Sequence, residues 1–236
     1  MQSITLLFKV LWSPGEAMFL LSKNPKVLTP IVFLTLFSIV TGTVFVTKLD
    51  SAELAMRAIE RSSRGSSLSD EQKAQLRRQM DSPVVKGFTF VSVVLGALFQ
   101  VLIVAGIYFA LFTMLGREGT FKSFLSITAY AFVPMIFRSM AAMLSVYVVP
   151  PASLIPDELG SLSPAVFLDR DSVSPVLFTA VNSIDLVNIW VLSLLVIGYG
   201  FVTRKSLSKA SRGAAILGVF LLYVALRLAA AAVRGI

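Results

Sequence analysis

Apolar residues in this chain come in long runs, parted by shorter polar stretches. Five runs, at about residues 27–46, 88–115, 121–149, 184–202 and 213–233, approach or exceed the ~20 residues that an α-helix needs to cross hydrocarbon. The pattern predicts an all-α, polytopic membrane protein with five transmembrane helices. Pro30 falls in the first turn of the first run, where a missing N–H costs little. The second run is long enough to tilt. In the third, Pro134 predicts a kink that frees a carbonyl one turn earlier. The fourth apolar segment can begin at Ser174-Pro175, longer than one crossing requires, so residues 174–183 are expected to form a short half-helix before the main span.

The polar stretches carry helix signals of their own. In the segment 1–26, the run 4–12 is broken by Lys9, has no basic region before it and no small-residue cleavage site after it, so a signal peptide is not expected. Ser13-Pro14-Gly15-Glu16 predicts a helix start, with Ser13 as N-cap, Pro14 at the first helical position and Glu16 reaching back in a capping box. The short helix that follows, with Trp12 at its edge, is expected at the membrane interface or packed beneath the bundle. Between the first two spans, in the loop 47–87, Ala52, Ala55, Met56 and Ile59 keep helical spacing. Ser69-Asp70-Glu71-Gln72 begins a second helix with a capping-box pattern, after a Ser-rich turn at 61–69. These two form a helical hairpin outside the bilayer. The loop 150–183 opens with prolines and acids; its Asp169 and Asp171 lack the glycine and closing glutamate of a calcium loop.

Composition sharpens the class. Hydrophobic residues make up 56% of the 236 and charged ones 14%, with a mean hydropathy of +0.83, which a soluble domain of this size does not show. The chain has no cysteine and no histidine. Disulfides, thiolate or imidazole metal sites, haem or iron–sulfur ligation and Cys- or His-dependent triads are therefore excluded from this chain's own residues. No Walker loop is present, and Gly198-Tyr199-Gly200 lacks the strand and third glycine of a dinucleotide fingerprint. No enzyme and no cofactor are expected. The net charge of +8 sits mostly beside the apolar runs, so it is read as a membrane-orientation signal and not as a nucleic-acid surface. Lys9, Lys23, Lys26, Arg117, Lys122 and the basic turn at 204–212 lie on one side, and the acidic loop on the other. The positive-inside rule then predicts a cytoplasmic N-terminus and an external C-terminus, with loops 47–87 and 150–183 outside.

The candidate site is polar residues within the spans. Arg138 lies deep in the third, where an arginine costs about 2.5–3.5 kcal/mol on insertion scales unless it finds a partner or water. Asp185 is the one acid at comparable depth. An ion pair that stops two helices sliding is the structural reading; the functional one is a polar pocket or solute path lined by Arg138 and Asp185 with Gln100, Asn182 and Asn188. Tyr130 and Pro134 are read as packing and kink residues, and Arg227 as snorkelling outward.

Several motifs, in order, resemble the bacterial branch of the Yip (Ypt/Rab-interacting protein) family. They are the pre-helix 14–19 ending in Asn24-Pro25; the turn and span from Gly119-Thr120-Phe121 to Tyr130-Ala131-Phe132-Val133-Pro134; and Ile184-Asp185-Leu186-Val187-Asn188-Ile189-Trp190 running on to Ser206-Leu207-Ser208-Lys209-Ala210. The resemblance covers nearly the whole chain and implies a five-span helical fold with a cytoplasmic N-terminus. In eukaryotic members it implies vesicle traffic, through binding of prenylated Rab-type GTPases and membrane shaping. This chain departs from them in having no long polar N-terminal region and no Asp-Leu-x-Gly-Pro type motif, so the fold is carried over and the Rab partner is not. The expected function is a non-enzymatic scaffold or membrane-organising protein of a bacterial inner membrane, in contact with the bilayer and with a membrane-protein partner or further copies of itself. The rival expectation is a small transporter or channel using the Arg138/Asp185 region, which requires water to reach Asp185.

Overall fold

The computed structural model describes residues 2–60, 68–116, 119–150, 154, 159–169, 172–203 and 207–234. They form helices α1 (Gln2–Trp12), α2 (Pro14–Lys23), α3 (Leu28–Lys48), α4 (Ser51–Glu60), α5 (Asp70–Met80), α6 (Pro83–Met114), α7 (Phe121–Ala131), α8 (Met135–Val148), α9 (Pro175–Ser183), α10 (Leu186–Val202) and α11 (Lys209–Arg234), with one 3-10 turn at Pro164–Phe167. No strand occurs among the described residues. Three helices, α3, α6 and α11, and the run α7–α8 are long and apolar enough to cross a membrane. α9 and α10 meet that test together, with a bend of 47° at the break between them. The all-helical, polytopic class read from the apolar runs is the one observed. The turn at 61–69 and the basic turn at 204–212 lie partly outside the described residues, and Arg117 and Asp171 wholly so.

Helix ends follow capping chemistry more closely than they follow hydropathy. α6 starts five residues before the apolar run does, because Ser82 Oγ accepts the Val85 N–H (3.3 Å) and Pro83 takes the first helical position. α11 likewise starts at Lys209, with Ser208 Oγ accepting the Ser211 N–H at 3.1 Å. At α5 the expected capping box forms: Ser69 Oγ accepts the Gln72 N–H and Gln72 Oε1 accepts the Ser69 N–H. At α2 it does not. Ser13 is the N-cap, but its N–H already donates to the Lys9 carbonyl at 2.8 Å as the last turn of α1, so Glu16 has no free amide to reach. Its carboxylate pairs with Lys9 instead. α1 itself is an addition to the sequence reading. Leu6, Leu7 and Val10 are buried, and Ile4, Phe8 and Trp12 form an exposed apolar stripe one turn apart.

Between α7 and α8, Pro134 has no amide to contribute to the helical ladder, and the carbonyl one turn earlier, Tyr130 O, accepts from Val133 N–H. The chain crosses the gap with tighter bonds, Val133 N–H to Tyr130 O (3.2 Å), Met135 N–H to Phe132 O (2.9 Å) and Phe137 N–H to Pro134 O (3.0 Å).

The chain divides into two compact units. The first comprises Met1–Phe37, Leu95–Phe137 and Leu186–Tyr223. In it α2 packs on α10 and α7, and α1 on α2. Its centre holds Met18, Phe124, Ile127, Leu194 and Tyr199, all without solvent exposure to speak of. The second comprises Ser38–Val94, Arg138–Asp185 and Val224–Ile236, in which α4 packs on α5 and the 3-10 turn packs on α9.

Candidate functional site

Several polar side chains buried in the first unit bond to the backbone or hydroxyl of another element. Pro25 ends α2, which leaves the backbone of Lys26 without helical partners; the Ser126 hydroxyl on α7 accepts the Lys26 N–H (3.0 Å) and donates to the Lys26 carbonyl (2.9 Å). Thr128 donates to Phe124 O in its own helix at 2.8 Å. Its oxygen lies 2.6 Å from the Tyr199 hydroxyl of α10, and with the Thr128 proton committed, Tyr199 is the donor. Tyr108 on α6 donates to the Ile216 carbonyl of α11 at 3.1 Å. These rings belong to one aromatic cluster: the Tyr199 centroid lies 5.0 Å from Phe124, 5.2 Å from Tyr108 and 5.7 Å from Phe112.

Tyr130, expected as a packing residue, donates to the Ser3 carbonyl of α1 at 3.0 Å. Arg212 donates to the Gly200 carbonyl at 2.6 Å, near the end of α10 where a cation is favourable. Gly198 sits where α10 meets α2 and α7: a Cβ there would lie 2.4 Å from Ile127 and 3.0 Å from Met18. The Gly198-Tyr199-Gly200 run is thus a packing device. Thr203 Oγ1 is buried without a hydrogen-bond partner among the described residues.

The second unit holds a separate polar cluster around the break before α10. Asn182 Oδ1 accepts from Ser161 Oγ (2.6 Å) and Ser163 Oγ (2.9 Å), and the two hydroxyls are 2.9 Å apart. Asp185 is fully buried, and its Oδ2 accepts the Leu162 N–H at 2.8 Å. It also stands immediately before α10, where a carboxylate favours the helix N-terminus. Gly160 brings this loop in close. It has φ +69°, and a Cβ would meet the Arg138 carbonyl oxygen at 2.2 Å.

Against the sequence expectation, the structure brings together Asn182 and Asp185 and adds Ser161, Ser163 and Gly160, which the proline-rich composition of their loop concealed. Arg138 is half-buried on α8, with its backbone carbonyl against Gly160. The Asp185 carboxylate accepts from a backbone amide, that of Leu162. Gln100 and Asn188 belong to the other unit, Asn188 half-buried on α10 and Gln100 exposed on α6. Pro134 is buried in the α7–α8 junction.

Outside the spans, the Lys9 ammonium hydrogen-bonded to Glu16 holds that carboxyl below its ordinary value, and Lys86 does the same for Asp81. On the α4–α5 hairpin, Arg77 pairs with Glu53 at 3.1 Å beside a shallow groove lined by Asp50, Arg78 and Asp81, a surface of mixed charge.

No curated protein and no solved structure matches the chain. The family model described as the Yip1 domain matches residues 8–229, a stretch that includes every apolar helix from α3 to α10 and most of α11. The chain therefore belongs to the Yip1-domain family, as a multi-pass helical membrane protein in contact with the lipid bilayer.

Proposed function

We propose that this protein is a non-enzymatic scaffold that organises membrane or holds a membrane-protein partner, with its N-terminus cytoplasmic and its C-terminus outside a bacterial inner membrane. One observation carries the reading. Most of the buried polar groups described above are engaged with the chain's own backbone and hydroxyls, as in Ser126 with Lys26, Tyr199 with Thr128, and Asp185 with Leu162. Bonds of this kind fix loops to helices and, for Tyr199 with Thr128, one apolar helix to another, in surroundings where a free polar group costs several kcal/mol by order of magnitude. The apolar faces, by contrast, point outward: Ile4, Phe8 and Trp12 on α1, and most of α6 and α11. Outward apolar surface is what lipid and membrane partners can contact.

The orientation rests on the basic residues flanking α2, α3 and α7. Affinity purification from native membranes in mild detergent, with bound proteins and lipids identified by mass spectrometry, tests the proposal. A protein or lipid retained at stoichiometric level is expected. Solute flux through vesicles holding the purified protein alone, lost on substitution of Arg138 or Asp185, would sink it in favour of a transporter.

A further inference from the structure

We infer that the outward face of α6 around Gln100 is a self-association surface, and that a second copy of this chain covers it. Val101, Ala105, Tyr108 and Phe112 form the buried face of α6. Gly96, Gln100, Ile103 and Ile107 lie on the side away from it, with Gln100 exposed and Ile103 58% exposed.

The depth of Gln100 makes this unusual. Its nearest charged neighbours in sequence are Lys86 and Arg117, so at about 1.5 Å per residue roughly 20 Å or more of apolar helix extends on either side. That places the amide near the middle of the hydrocarbon. Among the described residues no group donates to it or accepts from it. Lipid tails can do neither, and polar side chains at this depth ordinarily face protein or water.

A carboxamide both donates and accepts, so it is its own complement. Two copies inserted in the same orientation, related by a two-fold axis along the membrane normal, bring the same residue of each to the same depth. Gln100 of one copy and Gln100 of the other can then exchange reciprocal hydrogen bonds. One turn earlier, Gly96 has open space where a side chain would be, which lets two α6 backbones approach. An amide paired across helices in this way strengthens association by about 3- to 30-fold. The inference needs only that α6 spans the bilayer, and it stands or falls apart from the scaffold reading.

The test uses the full chain, which has no cysteine of its own, in vesicles of phosphatidylethanolamine and phosphatidylglycerol and in native membranes. Ile103→Cys should give a disulfide-linked homodimer on mild oxidation, whereas Leu217→Cys, on an exposed face of α11, should not. Fluorescence energy transfer between labelled copies, followed as protein is diluted into lipid, should show Gln100→Leu weakening the dimer about 3- to 30-fold and Gln100→Asn keeping part of the affinity. Because no described residue hydrogen-bonds to the exposed Gln100 side chain, Gln100→Leu should unfold at the wild-type temperature, which separates lost association from lost folding. Equal cross-linking at both positions, unchanged association of Gln100→Leu, or capture of a different protein by Ile103→Cys in native membranes would each overturn the inference.

Discussion

Gly160 and Gly198 leave no room for a methyl group, and they show how single residues set this structure. At Gly160 an added Cβ would meet the Arg138 carbonyl at 2.2 Å and Ala142 at 2.8 Å, on a backbone with φ +69° that L-residues avoid. At Gly198 it would meet Ile127 at 2.4 Å. Overpacking of this kind typically costs about 1–3 kcal/mol. Gly160→Ala and Gly198→Ala should each lower the unfolding temperature in detergent, while Gly106→Ala, with nothing within 4 Å, should not. The Thr128–Tyr199 bond gives a second, asymmetric expectation. Tyr199→Phe leaves Thr128 still bonded to Phe124, whereas Thr128→Val strands a fully buried phenol hydroxyl. The valine variant should therefore be the less stable, by about 1 kcal/mol, as read from paired denaturation curves. Neither glycine was legible in the sequence as a contact. A glycine in an apolar run looks the same whether it faces a neighbouring helix, like Gly198, or open space, like Gly106.

At the scale of elements, the spans were legible because twenty apolar residues in a row have few other uses. Helix ends were legible only where serine or proline marked them, as at Ser69 and Ser174, whose side chains accept helical N–H groups at 3.3 and 3.2 Å. α1 was missed because Lys9 interrupts the apolar run, although the lysine sits at the edge of the helix and pairs with Glu16. That pair links the last turn of α1 to the first turn of α2 and sets a pH dependence. Glu16 is held below its ordinary value of 4.5 by the Lys9 hydrogen bond and charge. A carboxyl depressed on folding contributes stability above its unfolded value, and that contribution fades as pH falls through the folded one. The α1–α2 elbow should accordingly loosen only below about pH 4.5. Lys9→Gln should bring the Glu16 titration, followed by NMR, back to the ordinary value; no movement would mean the pair does not form in solution. The break between α9 and α10 makes the corresponding case for Asp185. Asp185→Asn keeps an acceptor for the Leu162 amide, whereas Asp185→Leu removes it and should cost about 1–3 kcal/mol. If the carboxylate serves the backbone, a double-mutant cycle with Arg138→Leu should be additive within about 0.5 kcal/mol.

For the whole molecule, sequence carried the class and the family because both rest on long patterns: runs of apolar residues, flanking charge, and ordered motifs along most of the chain. The polar site was only half legible. Hydropathy ranks Arg138, Asp185, Gln100, Asn182 and Asn188 alike as interruptions of apolar runs, yet it cannot say which way each faces. Folding turns Asn182 and Asp185 inward onto Ser161, Leu162 and Ser163, and leaves Gln100 exposed on α6. The account therefore turns on whether the cluster around Asn182 is a closed structural joint or a watered site. Cysteine accessibility reads this directly, in a chain with no native thiol to confuse the signal. Ser163→Cys places a near-isosteric thiol in the cluster, and Ser172→Cys places one on the exposed part of the same loop. A charged, membrane-impermeant thiol reagent should label Ser172→Cys rapidly and leave Ser163→Cys unmodified until the protein is unfolded. Equal labelling of the two in the folded protein would contradict the joint and return Asp185 to the role of a solute-facing residue.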